Sequence, residues 1–362
     1  MNREEVFNYA AGPSVLPVPV LETAASELLN YRGTGMSVME MSHRSKVYLD
    51  IFNETKQKFR DALGVPESHE ILFLQGGGSL QFSMIPLNFS APGDSVDYAV
   101  TGRFAGIAAD EAERYCTVRR VYDGASTNFA HIPTQEELDL DPRAKYFYYC
   151  SNNTVMGTSW KYVPDTHGVH ICCDMSSEIL SHPVDVAKFG LIFAGAQKNM
   201  APAGLTMVIV DRALCGYERD ITPLMLSYQR QINKDSMYNT PPCYNIYILG
   251  LVLDWLKTMG GVTGMEKFKH ERAAIVYNYL DESKLFKPCA EVESRSDMNV
   301  TFRTGDKALD AEFAAFAQER GLLNLKGHRS VGGMRASLYN AMPMEGAVKL
   351  VEVMKEFEAS HV

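Results

Sequence analysis

Apolar and polar positions along this chain follow two rhythms. Short, nearly continuous apolar runs occupy residues 70–74, 95–100, 116–121, 145–150, 170–173, 191–194 and 205–210. Runs of that length, bounded by Gly, Pro, Asn or Asp, predict buried strands. Helical spacing predicts a helix over 19–31, with Leu21, Ala25, Leu28 and Leu29 on one face. It predicts a longer helix over 45–63, closed by Gly64 and Pro66 in the usual stop order. Further helices are expected from near Ser79, over 103–114 and over 244–259, where Gly260-Gly261 leads into another reaching about Leu280. The order of elements predicts an α/β chain with a mostly parallel sheet and helices on both faces. Beyond Pro288 the pattern changes to a smaller α+β unit: strand 299–303, helix 307–320, strand 335–339, helix 345–357.

Composition narrows the class. The chain has 362 residues, 46% hydrophobic and 22% charged, ordinary for a soluble enzyme of two or three domains with a large core. Its net charge of −9 is spread rather than blocked, which argues against non-specific nucleic-acid binding. The stretch 247–256 is too short and broken to span a bilayer, and the N-terminal residues lack a signal-peptide profile. Seven cysteines without framework spacing suggest reduced thiols and a cytoplasmic protein. Neighbours on one strand, Cys172 and Cys173 face opposite ways and read as core.

The chemistry gathers at strand ends. Between two apolar runs, Gly195-Ala196-Gln197-Lys198-Asn199 carries a single lysine among small and amide residues. Burial lowers a lysine pKa, and only the neutral amine attacks a carbonyl to form a Schiff base. A surface lysine in a tight hairpin is the competing reading. Asp174 ends the preceding strand, where an open α/β sheet points side chains into its crevice. Such a carboxylate would keep the pyridine nitrogen of pyridoxal phosphate protonated, although an Asp there is often only a helix cap. Upstream, Gln75-Gly76-Gly77-Gly78-Ser79 joins a strand to a helix and suits an anion such as the coenzyme phosphate. It has neither the lysine of a P-loop nor the spacing of a dinucleotide site. Asn152-Asn153-Thr154 offers ligand-binding side chains or, equally, a turn.

His-Arg pairs recur in loops at His43-Arg44 and His328-Arg329, with Arg335 at a strand start. Guanidinium groups grip carboxylates and phosphates bidentately, so the set suits a substrate with a carboxylate and a second, stronger anion. Solvated surface charge is the alternative for either pair alone.

These residues resemble the phosphoserine aminotransferase family, class V enzymes of fold-type I. The likeness runs from Asn8-Tyr9-Ala10-Ala11-Gly12-Pro13 to Gly332-Gly333-Met334-Arg335-Ala336-Ser337. Ser42-His43-Arg44, Gly195-Ala196-Gln197-Lys198-Asn199, Asn239-Thr240-Pro241-Pro242 and Gly327-His328-Arg329 carry its specific part. The resemblance implies a seven-stranded, mostly parallel sheet in a large coenzyme domain at 16–265, and a small domain from 1–15 and 266–362. It implies that Lys198 holds pyridoxal 5'-phosphate as a Schiff base, that Asp174 faces the pyridinium, and that Gln197 and Thr154 bond the coenzyme. Backbone amides of Gly78 and Ser79 would hold the phosphate, with Asn239 and Thr240 reaching in from the second subunit of a homodimer. Arg335 would take the substrate α-carboxylate. His43 and Arg44 would meet the distal anion, joined by His328 and Arg329 of the partner chain.

Two positions depart from the family's habit. Ser79 stands where arginine is common, and Phe104 where a tryptophan usually stacks on the ring. A phenyl face still stacks, with less area and no N–H. The implied reaction moves an amino group from L-glutamate to 3-phosphohydroxypyruvate, or to the related phosphohydroxythreonine-type substrate of vitamin B6 synthesis. A cysteine desulfurase would instead need a reactive thiol, for which Cys289 is the nearest candidate.

Overall fold

The computed structural model describes residues 2–329 and 331–362. Its central sheet has seven strands: β2 (His69–Leu74), β3 (Ser95–Val100), β4 (Thr117–Asp123), β5 (Tyr146–Cys150), β8 (His170–Asp174), β9 (Leu191–Gly195) and β10 (Thr206–Asp211). They lie in the order β2-β10-β9-β8-β5-β3-β4. The pairs from β9 through β4 are parallel, and β10 runs antiparallel to both its neighbours. The expected strands are therefore all present, shifted by a residue or so at their ends.

Strand alternation distributes the apolar residues over two faces. Ile71, Phe73, Phe147, Tyr149, Ile171 and Cys173 join one core, while Leu72, Leu74, Tyr146, Tyr148 and Cys172 join the other. Both faces are covered, which is why the strands read as continuous apolar runs. On the first face lie α1 (Val18–Ser26), α2 (Lys46–Leu63) and α6 (Cys243–Thr258). On the second lie α3 (Gly77–Phe89), α4 (Arg103–Ala112) and α5 (Tyr228–Asn233). Ser45 caps α2 by accepting from the Tyr48 amide, and Gly64 ends it in the left-handed conformation at φ 61°. The helix buries Tyr48, Ile51, Phe52, Thr55, Phe59 and Leu63, one stripe at helical spacing.

The first helix departs from expectation. It stops at Ser26, and its buried residues are Val20 and Ala24, not the face of Leu21, Ala25, Leu28 and Leu29. Leu28 and Leu29 lie beyond its end, and Leu29 is 85% exposed. The chain turns away at Glu27, whose carboxylate accepts from the Tyr247 hydroxyl at 2.6 Å.

A second core forms around α7 (Gly261–Glu282), α8 (Lys307–Glu319) and α9 (Met344–Ala359), and includes Phe286, Phe302, Phe313 and Phe357. These helices pack on an antiparallel sheet of β11 (Lys287–Pro288), β12 (Asn299–Arg303) and β14 (Met334–Ser337). The N-terminal β1 (Phe7–Asn8) pairs in parallel with β13 (Leu322–Leu323). A short antiparallel ribbon, β6 (Asn152–Asn153) with β7 (Thr158–Ser159), follows β5. No single helix among the described residues is long and apolar enough to cross a membrane.

Candidate active site

Cys150 and Asp174 are register partners at the C-terminal ends of β5 and β8. Lys198 lies just past β9, so three neighbouring strand ends open on one pocket, as an open parallel sheet requires. Arg103, Phe104, Asn152, Asn153, Thr154 and Ser177 complete most of its lining.

The Lys198 amine donates to Thr154 Oγ1 at 2.7 Å and stands 5.7 Å from the centre of the Phe104 ring. Burial pushes its pKa down to about 8, against the pull of Asp174. Behind it, the N-terminal segment closes the pocket wall. The Ser14 hydroxyl donates to the Lys198 carbonyl at 2.5 Å, and the Ser14 amide to the Gln197 carbonyl at 3.0 Å. Gly12, at φ 119°, passes so near that a Cβ there would lie 3.2 Å from Lys198 Cγ. Neither a side chain nor its backbone geometry would be tolerated at that point.

Asp174 is buried, and burial raises its pKa despite Lys198 and the Ser176 amide that donates to Oδ1 at 2.8 Å. Among the described residues its other oxygen has only the Cys150 thiol, at 3.9 Å. Burial likewise raises the Cys150 thiol, so it stays a neutral, weak donor. Asp174 Oδ2 thus retains capacity for a stronger donor, and a cation there would offset its desolvation.

At the other end of the site, Gly76 caps α3 at φ 87°. The amides of Gly77, Gly78 and Ser79 fall in the first turn, where no intrahelical carbonyl can receive them. Gln75 ties this corner to the segment before α6. Asn239 Nδ2 donates to Gln75 Oε1 at 3.1 Å, and Gln75 Nε2 to the Thr240 carbonyl at 3.3 Å.

Arg335, on β14, is half-buried, and its Nε is buried with no hydrogen-bond partner among the described residues. Burial lowers its pKa, and it repels the Lys198 ammonium, which places it at the pocket. Tyr339 anchors this wall by donating to the Ala11 carbonyl at 2.9 Å. His328 lies within electrostatic reach of Arg103, Arg335 and Arg329 of its own chain, and burial adds to them in lowering its pKa. His43 is half-buried, Arg44 and Arg329 are exposed, and none of the three lines the Lys198 pocket of this chain.

The asparagines need a correction. Asn152 Nδ2 donates to Ser177 Oγ at 2.7 Å and to Asn299 Oδ1 at 2.8 Å, while its Oδ1 accepts from Ser296 at 2.5 Å. Asn153 Nδ2 donates to Thr101 at 3.1 Å and Thr158 at 3.1 Å. Both amides knit the ribbon to its surroundings and leave only Thr154 of the trio free to serve a ligand. Cys289 is similarly committed, its amide bonded to the Thr301 carbonyl at 3.0 Å and its thiol raised by burial. It is no activated nucleophile.

Sequence reasoning missed Arg103, Cys150 and Ser14. Cys150 was findable, since the strand it ends must run beside the one ending in Asp174. Nothing local marks the other two.

The donor set fits pyridoxal phosphate: an enclosed amine, a carboxylate with a spare oxygen, a flat aromatic face and a turn of free amides. Comparison with known proteins agrees. The aminotransferase class-V family model matches residues 6–350. A phosphoserine aminotransferase of Bacillus cereus is 48% identical over 98% of this chain and 99% of its own. The structure of the enzyme from Bacillus circulans subsp. alkalophilus superposes with a TM-score of 0.97 at 42% identity, covering 99% of this chain and all of that one (100%). A pyridoxal-phosphate-bound phosphoserine aminotransferase from Trichomonas vaginalis superposes at 0.93 and 39% identity, over 97% and 99% of the two chains. With sequence, fold and strand-end chemistry in agreement, the chain belongs to the phosphoserine aminotransferases of the class-V aminotransferase family.

Proposed function

We propose that this enzyme transfers the amino group of L-glutamate to 3-phosphohydroxypyruvate, giving 2-oxoglutarate and O-phospho-L-serine. The observation that carries the reading is the enclosed Lys198 amine, bonded to Thr154 and within electrostatic reach of Asp174 and Arg335. Bound pyridoxal phosphate supplies an electron sink for negative charge developing at the substrate Cα. Lys198 holds the coenzyme and, once freed by the substrate amine, takes the proton from that Cα as a general base. A pKa near 8 suits both tasks at neutral pH. Asp174 holds the ring-nitrogen proton in place, and its buried setting strengthens that pairing. Thr154 Oγ1 would bond the ring hydroxyl and Gln197 the coenzyme, and the Phe104 ring would offer it an aromatic face.

The α3 amides of Gly78 and Ser79 receive the coenzyme phosphate. Arg335 binds the substrate α-carboxylate through its guanidinium. In a homodimer, Asn239 and Thr240 reach the partner's phosphate site, and His43 and Arg44 meet the distal anion together with His328 and Arg329 of the partner subunit. We place the enzyme in the cytoplasm, where its seven free cysteines would stay reduced.

Both substrates use one site in turn, so the kinetics are ping-pong. Initial rates at several fixed glutamate concentrations give parallel double-reciprocal lines; intersecting lines would remove the mechanism. A purified sample reduced with borohydride and digested carries its pyridoxyl group on Lys198.

A further inference from the structure

Arg103 lines the Lys198 pocket beside Phe104, yet it has no hydrogen bond or ion pair among the described residues. Its place in the fold explains none of this. It occupies the first position of α4, where the helix dipole disfavours a cation, and a residue serving helix stability there would be acidic or neutral. Its exposed side chain covers no core. It lines the same pocket as Lys198 and lies within electrostatic reach of His328, as do Arg335 and Arg329. A cluster of like charges around one histidine is unfavourable until an anion enters it.

The charges at the pocket can be apportioned. Lys198 and Asp174 face each other, Arg335 suffices for one carboxylate by two parallel hydrogen bonds, and the two His-Arg pairs proposed above meet the distal anion. Arg103 is then surplus for a substrate whose second group is a monoanion. A phosphate monoester carries close to two charges at pH 7 and three strong acceptor oxygens, and it can use another guanidinium.

We propose that Arg103 is a specificity-determining residue whose guanidinium pairs with the phosphate of the phosphorylated substrate and adds little to binding of the glutamate carboxylate. The assignment rests on the function proposed above and extends it to a residue that the sequence did not single out.

The test is a spectral titration of purified holoenzyme, following the visible absorbance of the bound coenzyme. Wild-type enzyme, Arg103→Gln and Arg103→Lys are each titrated with O-phospho-L-serine and, separately, with L-glutamate. Arg103→Gln raises half-saturation for O-phosphoserine by about ten- to a hundredfold, the loss expected of one charge-assisted contact. Its glutamate curve moves by less than about threefold, and Arg103→Lys recovers part of the loss. Thermal melting of Arg103→Gln is unchanged or raised, since a cation has left a helix N-terminus. Equal shifts for both amino acids, or no shift for either, overturn the assignment while the proposed function stands. A wild-type enzyme that responds to glutamate and not to O-phosphoserine overturns the function, and this assignment with it.

Discussion

In the packing between α7 and residues 338–342, Arg272 is wholly buried, and its Nη1 donates to the carbonyls of Asn340 and Met342. Its Nη2 donates to the Leu338 carbonyl at 2.6 Å, and the guanidinium lies 5.0 Å over the Phe268 ring. Among the described residues the Nε of both arginines is buried without a partner, but Arg335, a few residues upstream of those carbonyls, lacks the Nη hydrogen bonds that hold Arg272. The lysines divide in the same way. Lys269 is buried against Ser181 Oγ at 3.2 Å and His182 Nδ1 at 3.1 Å, whereas Lys198 has one hydroxyl and a facing carboxylate. Burial depresses the pKa of all four. The structural region supplies fixed dipoles for its cations, and the site withholds them, so that a ligand's charge completes the shell.

The largest break in this contrast comes at the lysines. Lys198→Ala is expected to lower transamination by at least about a thousandfold, since both the attachment point and the general base are lost. Lys269→Ala, removing another amine whose pKa burial depresses, should leave turnover per folded molecule within a few fold. Steady-state rates on both variants decide it; comparable losses would erase the distinction drawn here.

The arginines give a crossed pair of effects. Arg272→Leu strands three carbonyls and is expected to cost about 3 kcal/mol or more in a urea melt, with little change in kcat/KM. Arg335→Leu should be neutral or stabilising in the same melt, because it removes an uncompensated buried charge. Its kcat/KM for glutamate should fall about a hundredfold through KM. If Arg335→Leu unfolds the chain as readily as Arg272→Leu, Arg335 is a structural cation.

The smallest effect is in pH. A Lys198 pKa near 8 means that the neutral, attacking amine grows about tenfold per unit as pH rises toward 8 and saturates above it. Stopped-flow attachment of pyridoxal phosphate to the apoenzyme should therefore level off above pH 8. A rate still climbing at pH 10 would indicate an ordinary, solvated lysine.

Much of the scaffold was legible because it is written in short-range pattern. The apolar runs found all seven strands of the main sheet, and the same runs ended at Asp174 and Lys198, marking the two residues that must sit at strand ends. The glycines before α3 were legible for the same reason, since a positive φ leaves a compositional trace. Family likeness added roles for Thr154, Gln197 and Arg335 that no local pattern carries. Where local pattern erred, a distant partner was responsible. The first helix was given the wrong face because Val20 and Ala24 pack into a core built by residues distant in the chain, and Asn152 seemed free because Asn299 and Ser296 are far along the chain.

By itself, then, the sequence determined the order of strands and helices, the lysine and the carboxylate at their ends, and the family. Tertiary structure alone decided which polar groups near them are already satisfied and which keep capacity: among the described residues Asn152 and Asn153 are committed, Asp174 Oδ2 holds only a weak thiol donor, and Arg103 at the pocket has no hydrogen bond or ion pair. Periodicity records how a residue faces its own element. Whether its hydrogen bonds are filled depends on groups that arrive from elsewhere in the chain, and those meet only when it folds.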